Sequence, residues 1–202
     1  MIAKKQQILN SGNVRPFATA RLENSMKLLV IDIQKGITDE RLYNFEHFIQ
    51  NTVRIINAAR QNNVEVIYVQ HDDGEGSGFS VGDEDFEIAS QVTPLEGEKI
   101  FIKTINSCFG NKELTEYLNG EDTLMIVGLQ TNFCIDASVK SAFERGFDVV
   151  IPAETNSTFS NDYMDGETTY KYYNEMMWPK RFAKCISVDE AIEMLKGKPA
   201  VS

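Results

Sequence analysis

The chain has 202 residues, 42% of them hydrophobic and 25% charged, with a formal net charge of −10. That is the composition of a globular domain with a full core, and it excludes a disordered chain. The acidity argues against nucleic acid and against anionic membrane surfaces, both of which call for basic patches. Three cysteines are too few and odd in number for a secreted disulfide framework, and two histidines are too few for a His-rich zinc site. No apolar run reaches membrane-spanning length and the first residues lack the apolar centre of a signal peptide, so the expected setting is reducing and cytoplasmic.

Residues 1–25 are polar and show no strong periodicity. They read as an N-terminal extension, or as an arm that packs on a neighbouring subunit, ahead of a domain spanning 26–202. From Met26 the pattern alternates. Short runs rich in Val, Ile, Leu and Phe predict strands at 27–33, 64–70, 99–103, 123–127, 147–151 and 183–186. They lack strict period-two alternation, as strands buried on both faces do. Helices fill the gaps. Over 44–61, Phe45, Ile49, Thr52, Ile56 and Ala59 form one apolar stripe. A short helix spans 111–119. In a helix over 132–145, Ile135, Val139, Ala142 and Phe143 form the inward face, with Gly146 as its stop. An aromatic, Met-rich helix lies near 166–177, and Ser187-Val-Asp-Glu190 is a capping box opening the last helix. Strands alternating with helices predict an α/β fold with a parallel sheet covered on both faces. The stretch His71 to Ser80, with Gly74, Gly76 and Gly78, reads as a loop at the rim of a site; its glycines match no phosphate-loop or dinucleotide fingerprint.

Three strand ends carry chemistry. Leu28-Leu-Val-Ile-Asp32 ends an apolar strand on an acid, and Ile100-Phe-Ile-Lys103 ends another on a cation. Charges are rare in such runs without a partner or a task. Leu124 to Val127 runs through a glycine and a turn into a helix whose first turn holds Cys134. A thiol there feels the positive end of the helix dipole, which favours the thiolate. In a parallel sheet, functional groups gather at the carboxyl ends of strands, so Asp32, Lys103 and Cys134 could share one crevice. A solitary cysteine is more often a small buried hydrophobe, and a buried Asp–Lys pair can serve the fold alone.

Three segments resemble, in order, the motifs of the isochorismatase-like cysteine hydrolases: Leu29-Val-Ile-Asp32-Ile-Gln34, Phe101-Ile-Lys103-Thr-Ile-Asn-Ser-Cys-Phe109 and Gly128-Leu-Gln-Thr131-Asn-Phe-Cys134. The resemblance covers about 26–196. It implies a three-layer α-β-α fold with a six-stranded, mainly parallel, Rossmann-like sheet, and homo-oligomerisation. It implies Asp32, Lys103 and Cys134 as the catalytic residues. It also implies a cis Leu129–Gln130 peptide, with the backbone N–H groups of Gln130 and Cys134 as an oxyanion hole. Nicotinamidases of the family hold a metal through an Asp and two His after the second strand. Here Gln70-His71-Asp72-Asp73 offers one histidine, so the expectation is no metal and no other cofactor.

The resulting expectation is a metal-independent cysteine hydrolase that cleaves a C–N bond of a small amide, carbamoyl or ureido compound through a thioester. The alternatives are a non-catalytic or thiol-sensing family member and a nicotinamidase-like amidase. Lys103 would lower the thiol pKa and Asp32 would raise it, and spacing does not say which wins. Gln34, His71, Phe109 and Phe133 are candidate pocket residues, each with a packing role as its alternative. Cys108 lies near the end of the Lys103 strand but no helix-opening turn supports it as a nucleophile, Cys185 reads as core, and Trp178 with Tyr170 to Tyr173 reads as packing, a cover for the site, or an interface. The expected partner is a small-molecule substrate.

Overall fold

The computed structural model describes residues 25–197. The 1–25 extension therefore lies, but for its last residue, outside the described residues. The six expected strands all form: β1 (Met26–Ile31), β2 (Glu65–His71), β3 (Lys99–Lys103), β4 (Thr123–Leu129), β5 (Asp148–Pro152) and, after an intervening β6 (Asn156–Ser157), β7 (Lys184–Ile186). The sheet order is β3-β2-β1-β4-β5-β7, with β6 beside β4, and every pair is parallel. The short β6 escaped sequence reading because Asn-Ser carries no hydrophobic signal.

Two-sided burial explains the unbroken apolar runs. Along β1, Leu28 and Val30 enter one core while Leu29 and Ile31 enter the other. On β4, Met125, Val127 and Leu129 face the first core, and Leu124 and Ile126 the second. Helices α1 (Phe45–Gln61) and α5 (Val188–Leu195) cover the first face. Helices α2 (Lys112–Tyr117) and α3 (Asp136–Glu144) cover the second. A further helix, α4 (Gly166–Lys171), packs against β6 and the turn after β4. No helix among the described residues is long and apolar enough to cross a membrane.

Two predicted stripes rotate. On α1 the buried line is Phe48, Thr52, Ile55, Ile56 and Ala59, while Phe45 and Ile49 are only partly buried at its edge. On α3, Ser138 takes the inward place expected of Phe143, which is exposed and stacks edge-on with Phe182. A helical wheel orders residues around an axis but leaves open which side of the helix meets the sheet. The capping box forms as expected, with Ser187 Oγ accepting from Glu190 N and Ser187 N donating to Glu190 Oε2. Gly146 closes α3 at φ 89°, its N–H donating to Phe143 O while Phe147 N donates to Ala142 O.

The strand order reverses between β1 and β4, and this switch point opens a crevice at their carboxyl ends. In register, Ile31 lies beside Gly128, which sits at φ 135°. A Cβ at Gly128 would lie 1.9 Å from the Ile31 carbonyl oxygen. Backbone geometry and the neighbour strand both require glycine there. Gly128→Ala should therefore destabilise the protein by at least ~2 kcal/mol in urea denaturation and shift the strand ends that carry the site. Unchanged stability would show that β1 and β4 do not approach this closely.

Candidate active site

The first component of the site follows β1. Asp32 N continues the sheet by donating to Val69 O (2.8 Å), but its φ of 53° bends the chain out of the strand. A non-glycine residue in this left-handed region is uncommon, and such residues concentrate at functional sites. The carboxylate is 2% exposed, and its Oδ1 has no hydrogen-bond partner among the described residues.

The second component follows β4. The Leu129–Gln130 peptide is cis, as the resemblance implied. The chain then forms a wide π-helical turn, Thr131–Ile135, before α3 begins at Asp136. Cys134 thus lies in a π turn rather than in the first turn of a regular α-helix. A buried amide network pins that turn. Thr131 Oγ1 donates to Asn156 Oδ1 (2.7 Å), and Asn156 and Asn174 exchange side-chain hydrogen bonds at 2.9 and 3.0 Å. The two-residue β6 supplies Asn156, which explains why so short a strand is worth forming.

Lys103 completes the site from edge strand β3. Its backbone pairs with His71 of β2, and its side chain crosses the end of β2 toward the crevice. The ammonium lies 2.8 Å from Asp32 Oδ2, 2.9 Å from His71 Nδ1 and 3.2 Å from Cys134 Sγ. Its three hydrogens therefore have three acceptors. His71 Nδ1 must accept, which places that ring's proton on Nε2, 2.9 Å from Asp73 Oδ1. The thiol also faces Asn106 Oδ1 at 3.8 Å.

Electrostatics reverse one expectation. The Cys134 thiol is pushed up to about 12, first by burial and then by Asp32, against the opposing pull of Lys103. The wide turn does not make a resting thiolate. Asp32 is also raised, by burial above all, although Lys103 pulls it down. The two groups compete for protonation across one ammonium, so they titrate as a coupled pair.

Asp32, His71 and Cys134 present ligand atoms within 4.8 Å of one another, a spacing that could suit a metal ion. The Lys103 ammonium already contacts all three. A divalent ion with ligands at about 2.0–2.3 Å would have to displace it, so these residues do not fit a metal in this arrangement.

A cavity of about 240 Å³ opens in front of Cys134. Ile37, Phe79 and Phe133 supply its apolar walls, and Asp32, His71, Asp73 and Gln130 its polar ones. Of the expected pocket residues, His71 and Phe133 line it. Gln34 and Phe109 do not. Gln34 is fully buried and clamps the end of β2 to the loop that follows it: its Nε2 donates to His71 O and Phe86 O, and its Oε1 accepts from His71 N. Phe109 belongs to the second core, stacked on Phe147 at 5.8 Å. Trp178 is fully buried and donates to Asp136 Oδ1, a packing role beneath α3. Sequence reading missed Ile37, Asp73, Phe79 and Asn106. Asp73 and Phe79 flank the glycines of the rim loop, and Asn106 lies inside the segment that follows Lys103, but no spacing rule singled them out. A larger concavity of about 1510 Å³ lies at the amino-terminal edge of the sheet, beside Met26, Thr123 and Asp148, and none of its walls carries a cysteine. Size alone therefore does not mark the site; the convergence of acid, cation and thiol does.

The isochorismatase domain model matches residues 26–190. The chain belongs to the isochorismatase family. Among its relatives, the uncharacterized isochorismatase family protein YrdC of Bacillus subtilis is 29% identical over 181 residues, 85% of this chain and 96% of that protein. The ureidoacrylate amidohydrolase RutB of Yersinia enterocolitica is 23% identical over 218 residues, covering 87% and 95%. The crystal structure of a cysteine hydrolase from Pseudomonas syringae superposes with a TM-score of 0.76 at 18% identity, covering 86% of this chain and 93% of that one. Its likeness is one of fold.

The opposing effects of Asp32 and Lys103 on the thiol of this isochorismatase-family protein make a signed prediction. Asp32→Asn removes an anion beside Cys134 and should lower the thiol pKa, whereas Lys103→Met should raise it further. Titration of thiolate ultraviolet absorbance against a Cys134→Ala blank measures both. Shifts of the same sign in the two variants would contradict the geometry.

Proposed function

We propose that the protein is a metal-independent cysteine hydrolase that cleaves the C–N bond of a small amide, carbamoyl or ureido compound. The observation that carries this reading is the buried Lys103 ammonium in contact with both Asp32 and Cys134, two residues that line a small cavity. Asp32 takes the Cys134 proton as the sulfur attacks the substrate carbonyl carbon. The N–H groups of Gln130 and Cys134 receive the developing oxyanion. The tetrahedral adduct collapses as Asp32 returns the proton to the departing nitrogen, leaving an acyl-thioester and a free amine. Water, deprotonated by Asp32, then attacks the thioester; the acid product leaves and the proton returns to sulfur. Lys103 stays charged throughout and offsets the negative charge that moves between carboxylate and sulfur.

The Asp32 carboxylate and Lys103 ammonium gathered at a buried thiol support this reading over thiol sensing, because a sensor needs neither group and depends on an exposed cysteine. A nicotinamidase-like, metal-assisted route is disfavoured because the segment after β2 offers one histidine, His71, and both its ring nitrogens already contact Lys103 and Asp73.

Intact-mass spectrometry of protein mixed with a panel of small amides and ureido compounds tests the proposal. An acyl adduct should appear on Cys134 and disappear in Cys134→Ala. Turnover should fall at least about a thousandfold in that variant and in Asp32→Asn with the fold intact. Cys108→Ala should keep activity, since Cys108 is fully buried in the second core, its N–H donating to Ser138 Oγ. Hydrolysis persisting in Cys134→Ala, or thiol oxidation with no acyl adduct, would overturn it.

A further inference from the structure

The charge around the cavity limits what can enter it. Lys103 is the cation nearest Cys134, yet its side chain is wholly buried and each ammonium hydrogen already has an acceptor. No lysine or arginine lines the cavity among the described residues. The charged groups that do line it are both acids. Asp32 lies at the floor, and Asp73 stands at the mouth with its side chain 56% exposed.

His71 does not change this balance. Its Nδ1 accepts from Lys103 and its Nε2 points at Asp73 Oδ1, so it has no hydrogen left for a ligand anion. Asp73 is held in place by that contact and by its own N–H, which donates to Phe79 O (3.1 Å). The mouth carboxylate is thus fixed on the same loop that contributes the Phe79 wall. A substrate carboxylate would meet the Asp73 anion at the mouth, and at the floor an Asp32 charge already compensated by buried Lys103, with no lysine or arginine reaching the cavity to pair it. Apolar walls of Ile37, Phe79 and Phe133 suit an uncharged organic body.

Resting on the reading of Cys134 as nucleophile, we propose that the substrate is a neutral or cationic small amide with an apolar body, and that Asp73 is a specificity residue excluding carboxylates. The filter acts before chemistry, on entry. It applies to any small electrophile that reaches the sulfur, and this makes it testable without knowing the substrate.

The test compares alkylation of Cys134 by iodoacetamide and iodoacetate, a neutral and an anionic reagent of nearly equal size. In each case a sulfur–carbon bond forms as the carbon–iodine bond breaks and iodide leaves. Rates are read by peptide mass spectrometry at Cys134 and divided by those of a small free thiol in the same buffer. Because both reagents see the same thiol, the ratio cancels its pKa. We expect iodoacetate to be roughly tenfold or more disfavoured, the gap to shrink about threefold or more in Asp73→Asn, and Asp73→Glu to retain it. A ratio near one, a preference for iodoacetate, an unchanged gap in Asp73→Asn, or failure of both reagents to reach Cys134 would overturn the proposal. The amide panel fails independently: absence of any acyl adduct beside an intact alkylation gap would refute hydrolysis and leave the charge filter standing.

Discussion

The site depends on one buried ammonium. Removing an ion from water costs roughly several kcal/mol even in a relaxed protein interior, and a single ion pair seldom recovers that. Lys103 is tolerated because every one of its hydrogens finds an acceptor: the Asp32 carboxylate, the His71 ring and the Cys134 sulfur. Each acceptor comes from a different part of the chain, so the ammonium also fixes their mutual distances. A buried pair of this kind is weak as a source of stability. Its contact with a thiol that lines a cavity sets the charge balance there.

The fold creates the place where such an arrangement can exist. Reversal of strand order between β1 and β4 leaves a gap at their carboxyl ends, and Gly128 lets the two strands approach closely just before it. Asp32 turns into that gap through a left-handed backbone, and the wide turn after β4 brings Cys134 to it from the other side. The amide network of Thr131, Asn156 and Asn174 holds the turn, and Gln34 holds the end of β2. None of these supports touches the cavity, and each carries positional information into it.

Protonation in the pocket is poised rather than pre-activated. Burial and Asp32 keep the proton on sulfur, while Lys103 lowers the difference between proton on sulfur and proton on carboxylate. In the proposed hydrolysis the attacking form would arise where substrate is present, with the ammonium already in place to offset the charge.

The sequence by itself determined the layer architecture and singled out the acid, the cation and the thiol that converge in the crevice. Unbroken apolar runs could only be strands covered on both faces, and an acid or a cation ending such a run stood out because burial penalises it. The ordered motifs also led to the cis bond. Other features were decided only by tertiary structure. Gln34 and Phe109 resemble pocket residues in the chain but serve as a clamp and as core, because a motif fixes which residue follows which and not where its side chain points. Phe79 and Asp73 reach the cavity because the rim loop folds back over the strand end, and β6 forms because a buried amide needs a partner. The balance between Asp32 and Lys103 at the thiol was undecidable from spacing for the same reason: electrostatic effects depend on distance and burial, and both exist only once Lys103 has met Asp32, 71 residues away, and Cys134, 31 residues away.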